Sequence, residues 1–379
     1  MSKTVFLNAL GIASGLGQGK AATAQALFAG LRPQPFGRIP GELPPLPAAL
    51  SAWECRNNRL LLALLNEMEA EIAAAIGHYG PKRVAVVIGT STSGIAEGEV
   101  AVDCYHRTGA LSADYAYTRQ ETGSGAEFIA RHLGISGPAW VVATACSSAA
   151  KAMASARRLL RQGMADAVIT GGADTLCRLT QAGFSALESV AADLCNPMSR
   201  NRDGITIGEG GALFLMTRDP GDVALLGVGE SSDAHHISAP DPSGAGALDS
   251  MRRALADAGL EPGGIAYVNL HGTATPLNDA MESKAVAELL GLSVACSSTK
   301  ALTGHTLGAA GAVEAAFVWL TLSRYFNPAR VVPPHLWDGV ADPDLAPLAL
   351  AAPGTPLPPG AGLSNSFAFG GSNCTLVLR

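Results

Sequence analysis

The sequence predicts an α/β protein built from two similar halves, and three observations carry that expectation. Short apolar runs of strand length alternate with longer helical patterns through most of the chain, an arrangement in which helices cover the faces of sheets. Three short segments of the first half recur, in the same order, in the second. Between the copies lies Asp219-Pro220-Gly221-Asp222, a turn signal. The expected join divides the chain into residues 1–220 and 221–379.

Taken in order, Thr4–Leu10 reads as the opening strand. Asn8 interrupts it and the Gly-rich Gly11–Gly19 follows without a small-residue cleavage site, so a strand is preferred to a signal peptide. Val84–Ile88, Ala139–Ala143 and Ala167–Thr170 read as short buried strands. Leu60–Ile76, Ser147–Gln162, Asp249–Ala258 and Ala309–Leu322 read as helices. The repeat matches Val87–Thr92 to Asn269–Thr275, Ala145-Cys146-Ser147-Ser148 to Ala295-Cys296-Ser297-Ser298, and Gly210–Met216 to Gly370–Leu378. Two stretches rich in Pro and Gly, Arg32–Ala48 and Ala341–Gly362, read as irregular surface connections.

Composition narrows the classes of function. Apolar residues make up 48% of the 379 and charged residues 15%, which suggests extensive burial, part of it in a subunit interface. A net charge of −6 argues against a nucleic-acid partner held by bulk electrostatics. Apolar runs stay short of the ~20 residues that span a bilayer. Seven scattered cysteines without a CxxC pair fit a reducing cytoplasm and no structural zinc.

Cys146 is the first candidate for chemistry, the alternative being a small buried core residue. It falls where the apolar run 140–143 turns into an Ala-rich helix. There the helix dipole and the free N–H groups of the first turn favour a thiolate, and so a nucleophile. His271 follows the run Ile265–Leu270 and opens His271-Gly272-Thr273-Ala274-Thr275-Pro276. His305 lies in the Gly-rich Lys300–Gly311 loop. Two histidines on Gly/Thr loops after strands belong on functional loops more than in a core.

Together, Thr144–Ala149, His271–Pro276, Lys300–Gly311 and Asn365–Asn373 resemble the signatures of the β-ketoacyl-acyl-carrier-protein synthases, elongating condensing enzymes with a Cys–His–His set. Arg202-Asp203-Gly204, Gly208-Glu209-Gly210 and Asp233-Ala234-His235-His236 are similar to that family as well. The resemblance implies a thiolase-like fold, two similar halves in five α-β-α-β-α layers, usually as a homodimer. It implies a cytoplasmic acyltransferase whose partner is an acyl carrier protein bearing acyl and malonyl thioesters. By the same resemblance Cys146 takes the acyl chain, and His271 and His305 donate hydrogen bonds to the malonyl thioester carbonyl. Lys300 holds the His305 loop, through Asp279 or Glu282. Thr273 and Thr275 hold the phosphopantetheine arm, Phe369 gates the site and Phe367 lines it, and the backbone N–H groups of Cys146 and Phe369 bind the oxyanion. No organic cofactor is implied. Asn269, Glu314, Ser364 and Asn365 match positions that hold a structural monovalent cation in some relatives.

The chain departs from that pattern at Pro197-Met198-Ser199-Arg200, where the family has an aromatic-Asp pair, and in a shortened 32–51 segment. These departures suggest a specialised branch, and Asn201-Arg202-Asp203-Gly204-Ile205 with Gly208-Glu209-Gly210-Gly211 is similar to synthases of polyene-type pathways, such as aryl polyene synthesis. Arg56, Arg59, Arg107 and Arg119 are candidates for a basic patch facing the carrier protein. A non-catalytic chain-length-factor-like subunit, as part of a heterodimer, is the alternative; the presence of Cys146 argues against it. A degradative thiolase would carry a C-terminal Cys-x-Gly, which Cys374-Thr375-Leu376 is not.

Overall fold

The computed structural model describes residues 4–379; of the opening segment, Met1–Lys3 lie outside them. Among these residues are twelve strands: β1 Val5–Ser14, β2 Gly17–Gln18, β3 Val84–Gly89, β4 Ala139–Val142, β5 Ala167–Asp174, β6 Gly210–Thr217, β7 Ala224–Ser232, β8 Ile265–Asn269, β9 Ala295–Ser297, β10 Ala349–Leu350, β11 Ala361–Ala368 and β12 Ser372–Leu378. The main path runs β10-β9-β8-β11-β12-β7-β1-β6-β5-β3-β4. It divides where β1 and β7 meet through only two residue pairs, Val5 with Leu225 and Phe6 with Ala224.

On either side of that seam the order is the same. β1-β6-β5-β3-β4 corresponds to β7-β12-β11-β8-β9, with β10 added at the edge. The pairing senses correspond too. β6 and β12 run antiparallel to both neighbours, while β5-β3-β4 and β11-β8-β9 are parallel. Parallel neighbours require crossovers, which the helices supply.

Strand alternation sorts the apolar residues into three cores and so into five layers. In β3, Val84, Val86 and Ile88 face an outer core with the helices Arg56–Asn66 and Ser124–Leu133, while Ala85 and Val87 face a central core. In β12, Leu376 and Leu378 face the central core and Val377 faces a third core with the helices Ala245–Ala258 and Pro276–Leu290. The central core holds the helices Ser148–Arg161 and Ala310–Leu322 between the two sheets. The thiolase-like architecture expected from the sequence is therefore present.

Three local expectations are corrected. The helix read over 60–76 is two helices, Arg56–Asn66 and Glu69–Tyr79, broken at Met68, whose φ of −122° leaves the helical region. Strand β4 is not buried: Ala139 and Trp140 are exposed, Trp140 by 36%, because β4 is the sheet's edge. Cys296 is not the counterpart of Cys146. It lies buried inside β9, paired opposite Val268, whereas Cys146 follows the end of β4.

Candidate active site

Cys146 sits between the end of β4 and the helix Ser148–Arg161. The turn that carries it is tight. Ala145 takes a φ of +53°, a left-handed conformation that costs a non-glycine residue energy. Two hydrogen bonds hold it: Thr144 N–H donates to Ser148 Oγ at 2.8 Å, and the Ser148 hydroxyl donates to Ala145 O at 2.6 Å. Gly89, at the end of β3, lets the helix start press on the sheet. A Cβ there would lie 2.3 Å from Ala149 N.

The two histidine loops meet this turn. Cys146 Sγ, His271 and His305 offer donor atoms all within 4.8 Å of one another, and all three residues are buried. His305 Nε2 lies 3.1 Å from Cys146 Sγ, and the two rings stand edge to face at 5.5 Å. The three loops that the sequence marks as functional therefore converge on one point.

Buried carboxylates shape both loops. Glu282 accepts His271 N–H at 2.8 Å and Gly272 N–H at 2.7 Å. Asp174, at the end of β5, accepts Ser91 N–H and Thr92 N–H, each at 2.8 Å, and Ala309 N–H at 3.0 Å, so it ties the turn after β3 to the loop after His305. Asp279 accepts Met198 N–H and Ala274 N–H. Lys300 therefore does not work through Asp279 or Glu282, which are taken up by backbone donors. Its ammonium pairs with Glu314 Oε1 and donates to His271 O. It also lies 3.3 Å from His271 Nδ1. An ammonium can only donate, so Nδ1 accepts and the His271 proton sits on Nε2, facing the cavity.

The electrostatics follow from burial. His271 is held well below its ordinary value by burial, then by the Lys300 charge and by His305; His305 is lowered by burial and by Lys300. Both rings are neutral. Glu282 and Glu314 are pushed up to about 7 by burial. The Cys146 thiol is also pushed up by burial, to about 11, against the pull of Lys300 and of a hydrogen bond from the Phe369 backbone N–H. This corrects the expectation of a preformed thiolate. Desolvation outweighs the Lys300 charge and the Phe369 N–H, and no imidazolium is present to pair with the sulfur.

A cavity of about 280 Å³ opens onto Cys146, His271 and His305, and Thr273, Thr275, Phe367 and Phe369 line it. The Thr273 and Thr275 hydroxyls lie 2.9 Å apart. Phe367 does two things: it packs in the third core and stands edge-on to His271 at 6.2 Å. Phe369 lies on the short turn after β11 and rests against Phe184 at 5.7 Å. Phe184, Leu187 and Ile205 also line the cavity; Phe184 and Leu187 carry no sequence signal apart from being apolar.

The expected basic patch is largely neutralised. Arg56 is bound by the buried Glu209 and Arg59 by Glu54. Arg119 lies 3.7 Å from Asp114, and Arg107 donates to the carbonyl of Asp103 on its own helix. Of the residues suggested for a monovalent cation, Asn269 Oδ1, Glu314 Oε2 and Ser364 Oγ are buried without a hydrogen-bond partner, which fits a hard cation with oxygen ligands. The Asn365 side chain is engaged with Thr375 and Glu282. Cys146, His271 and His305 could ligate a soft metal, but the Lys300 ammonium beside His271 opposes it.

Comparison with known proteins agrees with this geometry. Residues 58–220 match the family model "Beta-ketoacyl synthase, N-terminal domain" and residues 223–335 match "Beta-ketoacyl synthase, C-terminal domain". A solved ketosynthase from Xenorhabdus doucetiae, in complex with its chain length factor, is 45% identical. The match covers 99% of this chain and 97% of that one, with a TM-score of 0.94.

The chain belongs to the β-ketoacyl synthase family.

Within it, the chain is 35% identical over 266 residues to 3-oxoacyl-[acyl-carrier-protein] synthase 2 of Staphylococcus aureus. That match takes in 65% of this chain and 64% of the relative, so it spans a little under two thirds of the curated enzyme's length. A β-ketoacyl synthase from Burkholderia phymatum is 26% identical, with a TM-score of 0.86 over 100% of this chain and 99% of that one. Among the described residues no helix is long and apolar enough to cross a membrane.

Proposed function

We propose that this β-ketoacyl synthase relative catalyses decarboxylative Claisen condensation of a malonyl thioester on an acyl carrier protein with an acyl group held on Cys146. One observation carries the reading: the Cys146 thiol, two neutral imidazoles and the Phe369 backbone N–H meet at one end of a single cavity. In the first half-reaction Cys146 Sγ attacks the acyl thioester, and the carrier's thiol leaves with the proton from Sγ. The oxyanion is received by the N–H groups of Cys146 and Phe369.

In the second half-reaction His271 and His305 donate from Nε2 to the malonyl thioester carbonyl while CO₂ departs. Charge then develops on an oxygen with two fixed donors. The carbanion attacks the acyl-Cys carbonyl, the C–S bond breaks and the Cys146 sulfur is restored. Neutral rings are required, because a donor that gave up its proton would quench the enolate. Lys300 and Glu314 fix His271 in the needed tautomer. Thr273 and Thr275 hold the phosphopantetheine arm, and Phe369 gates the cavity.

We take the chain as two halves, 1–220 with the nucleophile and 221–379 with both histidines, working in the cytoplasm; its seven free thiols support that compartment. A monovalent cation on Asn269, Glu314 and Ser364 would satisfy their unpartnered oxygens and take no part in the chemistry. The partner is read as a chain-length-factor-like subunit, since a ketosynthase from such a complex is 45% identical over 99% of this chain. The unpaired edge of β4 offers the surface. The pathway is read as polyene synthesis, on the Asn201–Ile205 pattern.

Intact-mass spectrometry tests the reading. The chain, alone and with such a subunit, is incubated with a panel of acyl-carrier-protein thioesters beside its Cys146→Ala variant. An acyl adduct on the unmodified chain alone supports it; an equal adduct on Cys146→Ala, or none from any primer in either state, overturns it.

A further inference from the structure

His335 lies outside the cavity, in the irregular segment that leads to β10, yet it is buried against the loops that carry the chemistry. Its Nδ1 accepts Ser298 N–H at 3.0 Å, and its Nε2 lies 3.0 Å from Pro197 O. A backbone N–H can only donate and a carbonyl can only accept, so the ring is fixed as the neutral Nε2–H tautomer. It bridges two segments that the sequence separates by about 100 residues.

Each segment leads to the site. The Ser298 hydroxyl donates to Gly272 O at 2.7 Å and accepts Lys300 N–H at 3.3 Å. One hydroxyl thus fixes both the residue after His271 and the lysine that sets the His271 tautomer. Ser298 also presses against the loop: a Cβ on Gly272, whose φ is +39°, would meet Ser298 Cβ at 2.5 Å. On the other side Pro197 precedes Met198, which holds a φ of +61° and donates to Asp279.

We propose that His335 is a positioning residue for the decarboxylation half of the reaction, acting through Ser298 on His271 and Lys300. The proposal rests on the condensing function given above. The Ser298 arm carries the effect; the Pro197 arm seats the ring. The two arms separate by substitution. Asn places an oxygen where Nδ1 was and keeps the acceptor for Ser298. Gln places its amide near Nε2 and keeps only the donor to Pro197.

The experiment compares His335→Asn, His335→Gln and Ser298→Ala in two assays, self-acylation of Cys146 and release of CO₂ from malonyl-carrier protein. His335→Gln and Ser298→Ala are expected to lose decarboxylation about 10- to 100-fold, the scale of a misplaced catalytic group. Self-acylation should stay within about 3-fold, and His335→Asn should keep most of the decarboxylation. The double variant His335→Gln/Ser298→Ala should be no worse than either single one, because both cut one arm. Equal losses in both assays, or Asn and Gln variants that behave alike, overturn the proposal. The ¹⁵N resonance of His271 Nδ1 gives a readout independent of turnover. It should shift in His335→Gln and hold in His335→Asn, and a resonance unmoved in both overturns the proposal even if the chain proves inactive. Absence of both half-reactions in the unmodified chain and its complexes would instead count against the function itself.

Discussion

The state of the Cys146 thiol separates a local argument from a tertiary one. From the helix start alone a thiolate is expected, whereas burial places the thiol at about 11. At pH 7.5 a thiol at about 11 is ionised in roughly one molecule in 3,000, against roughly one in ten for an ordinary cysteine near 8.5. Alkylation by iodoacetamide needs the thiolate, so it should run roughly 300-fold slower than for an ordinary thiol on this ground alone. Limited access would lower the rate further but would leave its pH dependence intact. The assay is therefore the rate of Cys146 modification by peptide mass spectrometry between pH 7 and 10. Peptide resolution keeps Cys104, which is less buried than the other cysteines, apart from the signal. The expected result is a rise of about tenfold per pH unit with no plateau. A plateau with a midpoint at or below about pH 8 would refute the reasoning, and would mean that the helix terminus and Lys300 outweigh desolvation.

Three further outcomes are expected. Glu314→Ala should cost about 3–5 kcal/mol in denaturant unfolding, because it leaves the Lys300 ammonium buried without its carboxylate; a loss below about 1 kcal/mol would show that water reaches the pair. Gly89→Ala should cost about 3 kcal/mol, since its Cβ meets the backbone of Ala149, whereas Gly183→Ala, in an open helical position, should stabilise by up to about 1 kcal/mol; similar values for the two would mean that the helix start is not pressed on β3. The His271 and His305 ring protons should not titrate in NMR spectra between pH 8 and 6, because their values are lowered and the rings stay neutral throughout that range; a midpoint near 6.5 for either ring would contradict its burial.

Much of this protein could be read from residues in order. Alternation of strand and helix patterns gave the α/β class, since burial on both faces of parallel strands writes itself as continuous apolar runs such as Val84–Ile88. Cys146, His271 and His305 were legible because each stands in a short Gly/Thr/Ser context that a core position does not need. The Gly210 and Gly370 segments were rightly paired as the last strands of the two halves. The Cys296 match was not: four residues of likeness cannot say whether a cysteine lies inside a strand or beyond its end. The break at Met68 carried no Pro or Gly, so pattern alone ran the helix through it.

What only the tertiary structure decided are the quantities that depend on neighbours distant in sequence. The partner of Lys300 is Glu314, because Glu282 is taken up by the N–H groups of His271 and Gly272, and Asp279 by those of Ala274 and the distant Met198. Of the arginines expected to form a basic patch, Arg56, Arg59 and Arg119 are paired with carboxylates, Arg56 with Glu209 from the far end of the first half. Residue types and local spacing determine which chemistry is on hand. Desolvation and hydrogen-bond partners, set by packing around a buried cluster, determine the protonation state in which it waits, and no local stretch of sequence contains them.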